Sequence, residues 1–248
     1  MDRLLEATRQ AEQAHFWFRG FRAFVRPLIA AATTGVDRPR ILDCGCGTGA
    51  NLGMLGETGH ASGFDLTWRG LEFARDYGYR RVAQGSATHI PFASGAFDLV
   101  TAFDVLQVLP DPMEAEALAE MHRVLRPGGG LIVNVAALQI LRGTHAVLGA
   151  EVRRYTTARL RQAITAAGFA VERLSYTNFT LFPLMLAVRT AQRVRGLPES
   201  GEGAIDTQVP PGPVNALLSS LVTLEARALR LVNMPIGSSV LCLARKPR

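Results

Sequence analysis

Lysine is all but missing from this chain of 248 residues: of its 27 Lys and Arg residues, Lys246 is the one lysine. That excludes a flexible polylysine tail. Cysteine is scarce as well. Cys44, Cys46 and Cys242 are too few and too badly spaced for a disulfide framework or a tetrahedral zinc site, so no metal is expected and a reducing, cytoplasmic setting is. Long apolar runs are absent: the longest, Leu181 to Val188, has 8 residues, far short of a membrane span. The charged start MDRLLEATRQAEQ does not read as a signal peptide, and no repeat of 20–50 residues is visible. What is present is apolar bulk. A hydrophobic content of 48% excludes disorder and lets one generous domain bury a core.

Acidic residues thin out along the chain. Residues 1–148 hold 14 Lys+Arg and 15 Asp+Glu, net −1, whereas residues 149–248 hold 13 and 6, net +7. Such asymmetry suits an anionic partner; the plainer reading is scattered solvated arginines. No nucleic-acid motif accompanies the basic excess, so a nucleic-acid partner is not expected.

From position 40 onward short apolar runs alternate with helical stretches, the pattern of an α/β fold with a parallel sheet. The spacing predicts seven strands: Arg40–Cys44, Ala61–Phe64, Arg81–Gln84, Asp98–Phe103, Leu131–Val135, Val171–Tyr176 and Ser239–Ala244. Helices are expected at about 51–57, 68–77, 113–125 and 156–167, the third stopped by the Arg-Pro-Gly-Gly-Gly turn at 126–130. Residues 3–32 read as helical, broken near Gly20 and Pro27, and Asn215 to Asn233 as a further amphipathic helix. The expected layout is a Rossmann-like, seven-stranded, mostly parallel sheet with helices on both faces. A helical cap at 1–36, a core at 37–178 and 236–248, and a helical insertion or lid at 179–235 complete it.

The sharpest signal is Ile41-Leu42-Asp43-Cys44-Gly45-Cys46-Gly47-Thr48-Gly49 at the end of the first strand. Glycines let the backbone approach a ligand, and the helix that follows offers unpaired N–H groups. Asp65 lies 20 residues after Gly45, at the tip of the second strand, where a carboxylate can accept hydrogen bonds from ribose hydroxyls. The spacing is G-x-G-x-G, not the G-x-G-x-x-G of dinucleotide folds, and Asp43 precedes the loop. A carboxylate there repels a pyrophosphate and attracts an ammonium group, which favours S-adenosyl-L-methionine over NAD.

The stretches ILDCGCGTGANL, GFDLT, GSATHIPFASGAFDLVTAFDVL and RVLRPGGGLIVNV, in this order, resemble the class I S-adenosylmethionine-dependent methyltransferases of the "type 11" group. HFWFRGFR at 15–22, RRYTTARLRQAITAAGF at 153–169 and the ending MPIGSSVLCLARKPR resemble a subgroup associated with glycan or lipid modification. The resemblance implies that Asp43 and the backbone of Gly45, Gly47 and Gly49 face the methionine part of the cofactor. It puts Asp65 on the ribose, Leu66 on the adenine face and Ser86 with Ala87 at the adenine edge. Phe103 and Asp104 would close the methyl-donor side. Three departures stand out: Ser86 occupies a position usually Asp, Val108 one often His, and His145-Ala146 with Glu151 replace a His-Asp and a further His.

Methyl transfer from a sulfonium needs alignment and exclusion of water, and a base only where the acceptor must lose a proton. The candidates at the acceptor are His145, Glu151 and Tyr155, with Arg153 and Arg154 as a grip for phosphate or carboxylate. The aromatic-rich segment 15–22 offers Trp17 or Phe18 to pack on the cofactor and Arg22 to meet its carboxylate. Phe179 to Val188, beside Arg189, Arg193 and Arg195, has the composition of an interfacial helix; the plainer reading is a substrate-covering lid or a homodimer face. The expectation is a methyltransferase acting on a small, anionic or lipid-linked (glycan or isoprenoid) acceptor, cytoplasmic or peripheral to a membrane. A non-catalytic cofactor-binding scaffold and an NAD-dependent oxidoreductase are the alternatives; the latter lacks a Tyr-x-x-x-Lys pair.

Overall fold

A computed structural model describes residues 2–143, 146, 147, 149–194 and 208–248. The seven strands are β1 (Arg40–Cys44), β2 (His60–Asp65), β3 (Val82–Gln84), β4 (Phe97–Phe103), β5 (Leu125–Ala136), β6 (Ala170–Thr177) and β7 (Ser239–Arg245). They form one sheet in the order β3-β2-β1-β4-β5-β7-β6. β1 to β5 pair in parallel, and β7 runs antiparallel between β5 and β6. Strands in the middle of such a sheet have both faces covered, so they read as unbroken apolar runs; β4 is buried over its first six residues.

The helices are α1 (Asp2–Ala11), α2 (Phe16–Ala32), α3 (Ala50–Gly56), α4 (Trp68–Asp76), α5 (Asp111–Val124), α6 (Thr157–Ala166), α7 (Phe182–Val194) and α8 (Gly212–Ala228). One face of the sheet packs on α5 and α6 through Leu118, Met121, Leu160 and Ile164. The other packs on α2, α3, α4 and α8 through Phe24, Ile29, Leu55, Leu71 and Val222. From β1 the order runs outward to β2 and β3 on one side and to β4 and β5 on the other. The crevice at the carboxyl ends of β1 and β4 is therefore the switch point at which open α/β sheets bind ligands.

Two expectations are corrected. The N-terminal helices do not break at Gly20 and Pro27; the break falls between Ala11 and Phe16, and α2 runs through both residues. Gly20 is a contact point. A Cβ there would stand 2.2 Å from Val222 Cγ1, so the missing side chain is what lets α8 lie against α2. The α2 start is capped by His15, whose Nδ1 accepts from the Trp17 N–H at 3.1 Å. The Arg-Pro-Gly-Gly-Gly stretch belongs to β5, because Leu125 already pairs with Phe97 before the register shifts and resumes at Gly130.

Candidate functional site

β1 delivers its chain end to the switch point, and the loop leaves it through left-handed backbone at Gly45 (φ +69°) and Gly47 (φ +50°). The two glycines are needed for different reasons. A Cβ on Gly45 would strike Val105 Cγ2 at 2.6 Å, whereas one on Gly47 would meet nothing nearer than Leu5 Cδ2 at 3.9 Å. Gly45 thus serves the packing, and Gly47 leaves its backbone accessible beneath α1. Gly49, also left-handed, starts α3.

Asp65 ties the loop to β2. Its carboxylate accepts from the Gly47 N–H at 2.8 Å and from the Thr67 N–H at 2.8 Å. Leu66 follows with 70% of its surface exposed, an apolar platform beside the loop. Asp43 is buried beneath the loop; Thr101 Oγ1 donates to it at 2.7 Å. Desolvation pushes its carboxyl up to about 7, with the charge of Asp65 adding to the shift. Burial likewise pushes the Cys44 and Cys46 thiols up, which leaves them inert as nucleophiles. At the end of β3 the Ser86 hydroxyl bonds the Thr88 hydroxyl at 2.8 Å and Ala87 packs on the core.

The N-terminal helices cover this edge. Trp17, Phe21 and Phe24 of α2 face Asn134, Thr177, Asn178 and Ser239 across a crevice of about 10 Å³, room for about one water. Phe21 meets Phe103 edge to face, centroids 4.9 Å apart. Phe18 is half-buried, edge-on to His15, and Arg22 donates to the Glu12 carbonyl at 2.9 Å. Glu12 itself is a residue that the sequence did not single out. Buried at the end of α1, it accepts from Thr48 Oγ1 at 2.6 Å and from the Tyr77 hydroxyl at 3.0 Å, joining α1 to the glycine loop and α4.

Asp104 follows β4 in left-handed backbone, φ +60°. The residue is exposed to solvent, yet protein atoms crowd its carboxyl, and the resulting desolvation lifts it to about 6. Asn134 Nδ2 and Gln107 Nε2 both donate to its Oδ1, at 3.1 and 3.3 Å. Gln107 and Asn134 carry no sequence signal of their own; only the fold brings them 3 and 30 residues back onto Asp104.

The acceptor-side candidates fare unevenly. Tyr155 is a correction: it is fully buried, its hydroxyl bonds Glu114 and lies 3.2 Å from the Leu106 carbonyl, and burial pushes its ionisation upward. It is a core tyrosine with its polar tip satisfied. Arg153 is no free anion grip either, since Asp111 holds it at 2.8 Å and Glu114 at 3.4 Å. Arg154 and Glu151 form a buried ion pair at 2.9 Å. That pair stands close enough for the charges of Glu151 and Arg154 both to act on Asp104. His145 lies outside the described residues, as does Arg195. Among the described residues no cluster of His, Cys, Asp and Glu could hold a metal.

Comparison with known proteins gives this geometry its class. Residues 42–133 match the methyltransferase-domain family. The chain is 30% identical over 165 residues to a ubiquinone biosynthesis O-methyltransferase of Aromatoleum aromaticum, covering 59% of this chain and 68% of that one. It is 38% identical over 103 residues to a demethylmenaquinone methyltransferase of Lactiplantibacillus plantarum, covering 37% of this chain and 43% of that one. An S-adenosylmethionine-dependent methyltransferase structure from Thermotoga maritima shares the fold, with a TM-score of 0.58 at 18% identity over 99% of this chain and 97% of its own. The chain belongs to the class I methyltransferase family. It is an S-adenosylmethionine-dependent enzyme, and both the oxidoreductase and the scaffold alternatives fall away. The residues fit that cofactor: the uncrowded Gly47 turn, the exposed Leu66 and the Asp65 carboxylate stand together at the switch point, an apolar platform beside an acceptor for hydroxyls.

Proposed function

We propose that this enzyme methylates a hydroxyl on the ring of a small isoprenoid-linked, quinone-type acceptor. The observation that carries the reading is the aromatic lining of the crevice under α2, where Trp17 and Phe21 stand with Phe103 edge-on to Phe21, which suits a planar ring. The names of the two quinone-pathway relatives support it. A glycan-linked acceptor, implied by the resemblance of the flanking segments, is the less favoured reading, because Arg153 and Arg154 are already held by carboxylates.

The backbone of Gly45, Gly47 and Gly49 would hold the methionine part of the cofactor over the buried Asp43, Asp65 the ribose, and Leu66, Ser86 and Ala87 the adenine. Trp17, Phe18 and Arg22 would cover it, with Phe103 and Asp104 on the donor side. S-adenosylmethionine supplies a methyl group already activated by its positive sulfur. The residues of this chain then have to bind the acceptor, aim its oxygen and keep water out. The described parts of 1–36 and 179–235 would cover the core formed by the described parts of 37–178 and 236–248, and the crevice under α2 is too small for a ring until Trp17 and Phe21 move aside.

The test is incubation with methyl-labelled cofactor and a panel of short-chain prenylated catechols and hydroquinones, read by mass. Label on a ring oxygen of a prenylated probe is expected. Labelling of a sugar or amine panel with the prenylated rings left untouched would overturn the reading.

A further inference from the structure

We infer that Asp104 is the general base of the transfer, its Oδ2 taking the acceptor hydroxyl proton while Gln107 and Asn134 act as positioning residues on Oδ1. This rests on the reading above that the acceptor is a hydroxyl.

The hydrogen bonds around Asp104 are one-sided. Asn134 Nδ2 donates to Oδ1 at 3.1 Å, and the Asp104 N–H returns to the Asn134 carbonyl at 2.9 Å, so the two residues are pinned to each other. Gln107 Oε1 accepts from the Ala136 N–H at 2.8 Å. That bond fixes the direction of the amide, and its Nε2 is left to face Oδ1 at 3.3 Å. Among the described residues nothing donates to Oδ2, although Asp104 is exposed. A carboxylate with one oxygen fastened and the other free is oriented to receive a proton on a chosen side.

Place and electrostatics agree. Asp104 follows Phe103, whose ring meets Phe21 of the aromatic lining, and Asn134 lines the same crevice. Among the described residues the charged groups facing Asp104 are Glu151 and Arg154, paired with each other, while Gln107 and Asn134 are neutral amides. Desolvation holds its carboxyl at about 6, close enough to neutrality to exchange a proton in the working range. The step balances within the site. The acceptor O–H bond breaks and its proton goes to Asp104 Oδ2. The oxygen lone pair forms the O–CH₃ bond as the methyl–sulfur bond breaks, and that pair stays on sulfur, leaving a neutral thioether. Asp104 then loses the proton to solvent.

The experiment combines carbon NMR of ¹³C-aspartate-labelled protein, saturated with S-adenosylhomocysteine, with kinetics on two probes: a prenylated hydroquinone and a nitrocatechol already ionised near neutral pH. The Asp104 carboxyl carbon, assigned by its loss in Asp104→Asn, should titrate near 6. Asp104→Asn should lower kcat for the hydroquinone by about 100-fold or more, within the range for a lost general base, and abolish the acidic limb of the pH profile. The nitrocatechol, needing no base, should recover most of that loss, while the Kd for S-adenosylhomocysteine stays within about twofold, too small to signal a lost charged hydrogen bond. Gln107→Leu, which keeps the carboxylate and removes a donor from its charged form, should move the acidic limb to higher pH. A carboxyl titrating below about 4.5, in the ordinary carboxylate range, overturns the assignment without reference to any acceptor. So does an Asn variant that weakens S-adenosylhomocysteine and leaves kcat unchanged, the mark of a cofactor contact. If the wild type turns over neither phenol, the hydroxyl reading fails separately from the titration, and the base assignment falls with it.

Discussion

Two carboxylates within one motif have opposite duties, and their surroundings set them apart. Asp65 is half-exposed and spends its oxygens on Gly47 and Thr67, so it both shapes the loop and remains reachable. Asp65→Ala should weaken S-adenosylmethionine and S-adenosylhomocysteine alike, by about 1.5–3 kcal/mol in calorimetry, the scale of hydrogen bonds to a charged group. Asp43 is sealed beneath the loop and held up to about 7. An unfolded chain releases this proton near pH 3.9, whereas the folded protein keeps it until about 7. The contribution of Asp43 to stability is therefore complete at low pH and lost as pH rises through that window. His15 and His122, whose ionisation burial lowers, act in the opposite sense over part of the range. The measurement is therefore a difference: in thermal melts from pH 4 to 8 without cofactor, wild type should lose stability relative to Asp43→Asn as pH rises. Parallel curves would refute it.

At the scale of elements, closeness between α2 and α8 depends on one missing atom. Because Val222 Cγ1 stands 2.2 Å from where the Gly20 Cβ would be, Gly20→Ala should overpack that contact and cost about 1–3 kcal/mol in denaturant unfolding. The gain in helix propensity, about 1 kcal/mol, is too small to offset the upper part of that range. α1 hangs on a different device. Its end is fastened to the glycine loop by Glu12 through Thr48 and Tyr77. Glu12→Ala should speed hydrogen exchange of α1 selectively while β1 and β4 keep their protection, because the strands draw their stability from the core. Uniform loosening of the whole sheet would show that Glu12 is a core residue and not a fastener.

Across the whole molecule, charge and apolar exposure concentrate together. Between Arg173 and Leu197 the chain has no acidic residue, and α7, within that stretch, buries none of its side chains. Leu184 and Val188 of α7, Leu217 and Leu224 of α8, and Leu231 beyond it are exposed, with Arg193, Arg227 and Arg230 also at the surface. No helix among the described residues is long and apolar enough to cross a membrane. The proposed partner of these exposed residues is an anionic lipid surface, from which an isoprenoid-linked acceptor would be drawn. Vesicles with anionic lipid should sediment the protein and neutral ones should not. Leu184→Glu with Val188→Glu should abolish the effect, and Arg193→Gln should weaken it by about 1 kcal/mol. Equal sedimentation with both vesicle types would refute the charge argument.

The sequence by itself determined the strands, the glycine loop and the acidic residue at the tip of β2, because each is a local pattern: apolar runs of strand length, turn residues, a fixed spacing to Asp65. It erred where a local rule met a distant partner. Gly20 looks like a helix breaker until Val222, some 200 residues away, occupies the space it leaves. Tyr155 and Arg153 look like site residues until Glu114 on α5 draws them inward. Glu12, Gln107 and Asn134 had no pattern to betray them, and became part of the site only when the sheet and the cap brought them onto Thr48 and Asp104. Tertiary structure decided these roles because a buried polar group must find its partner wherever the fold puts one, at whatever distance along the chain.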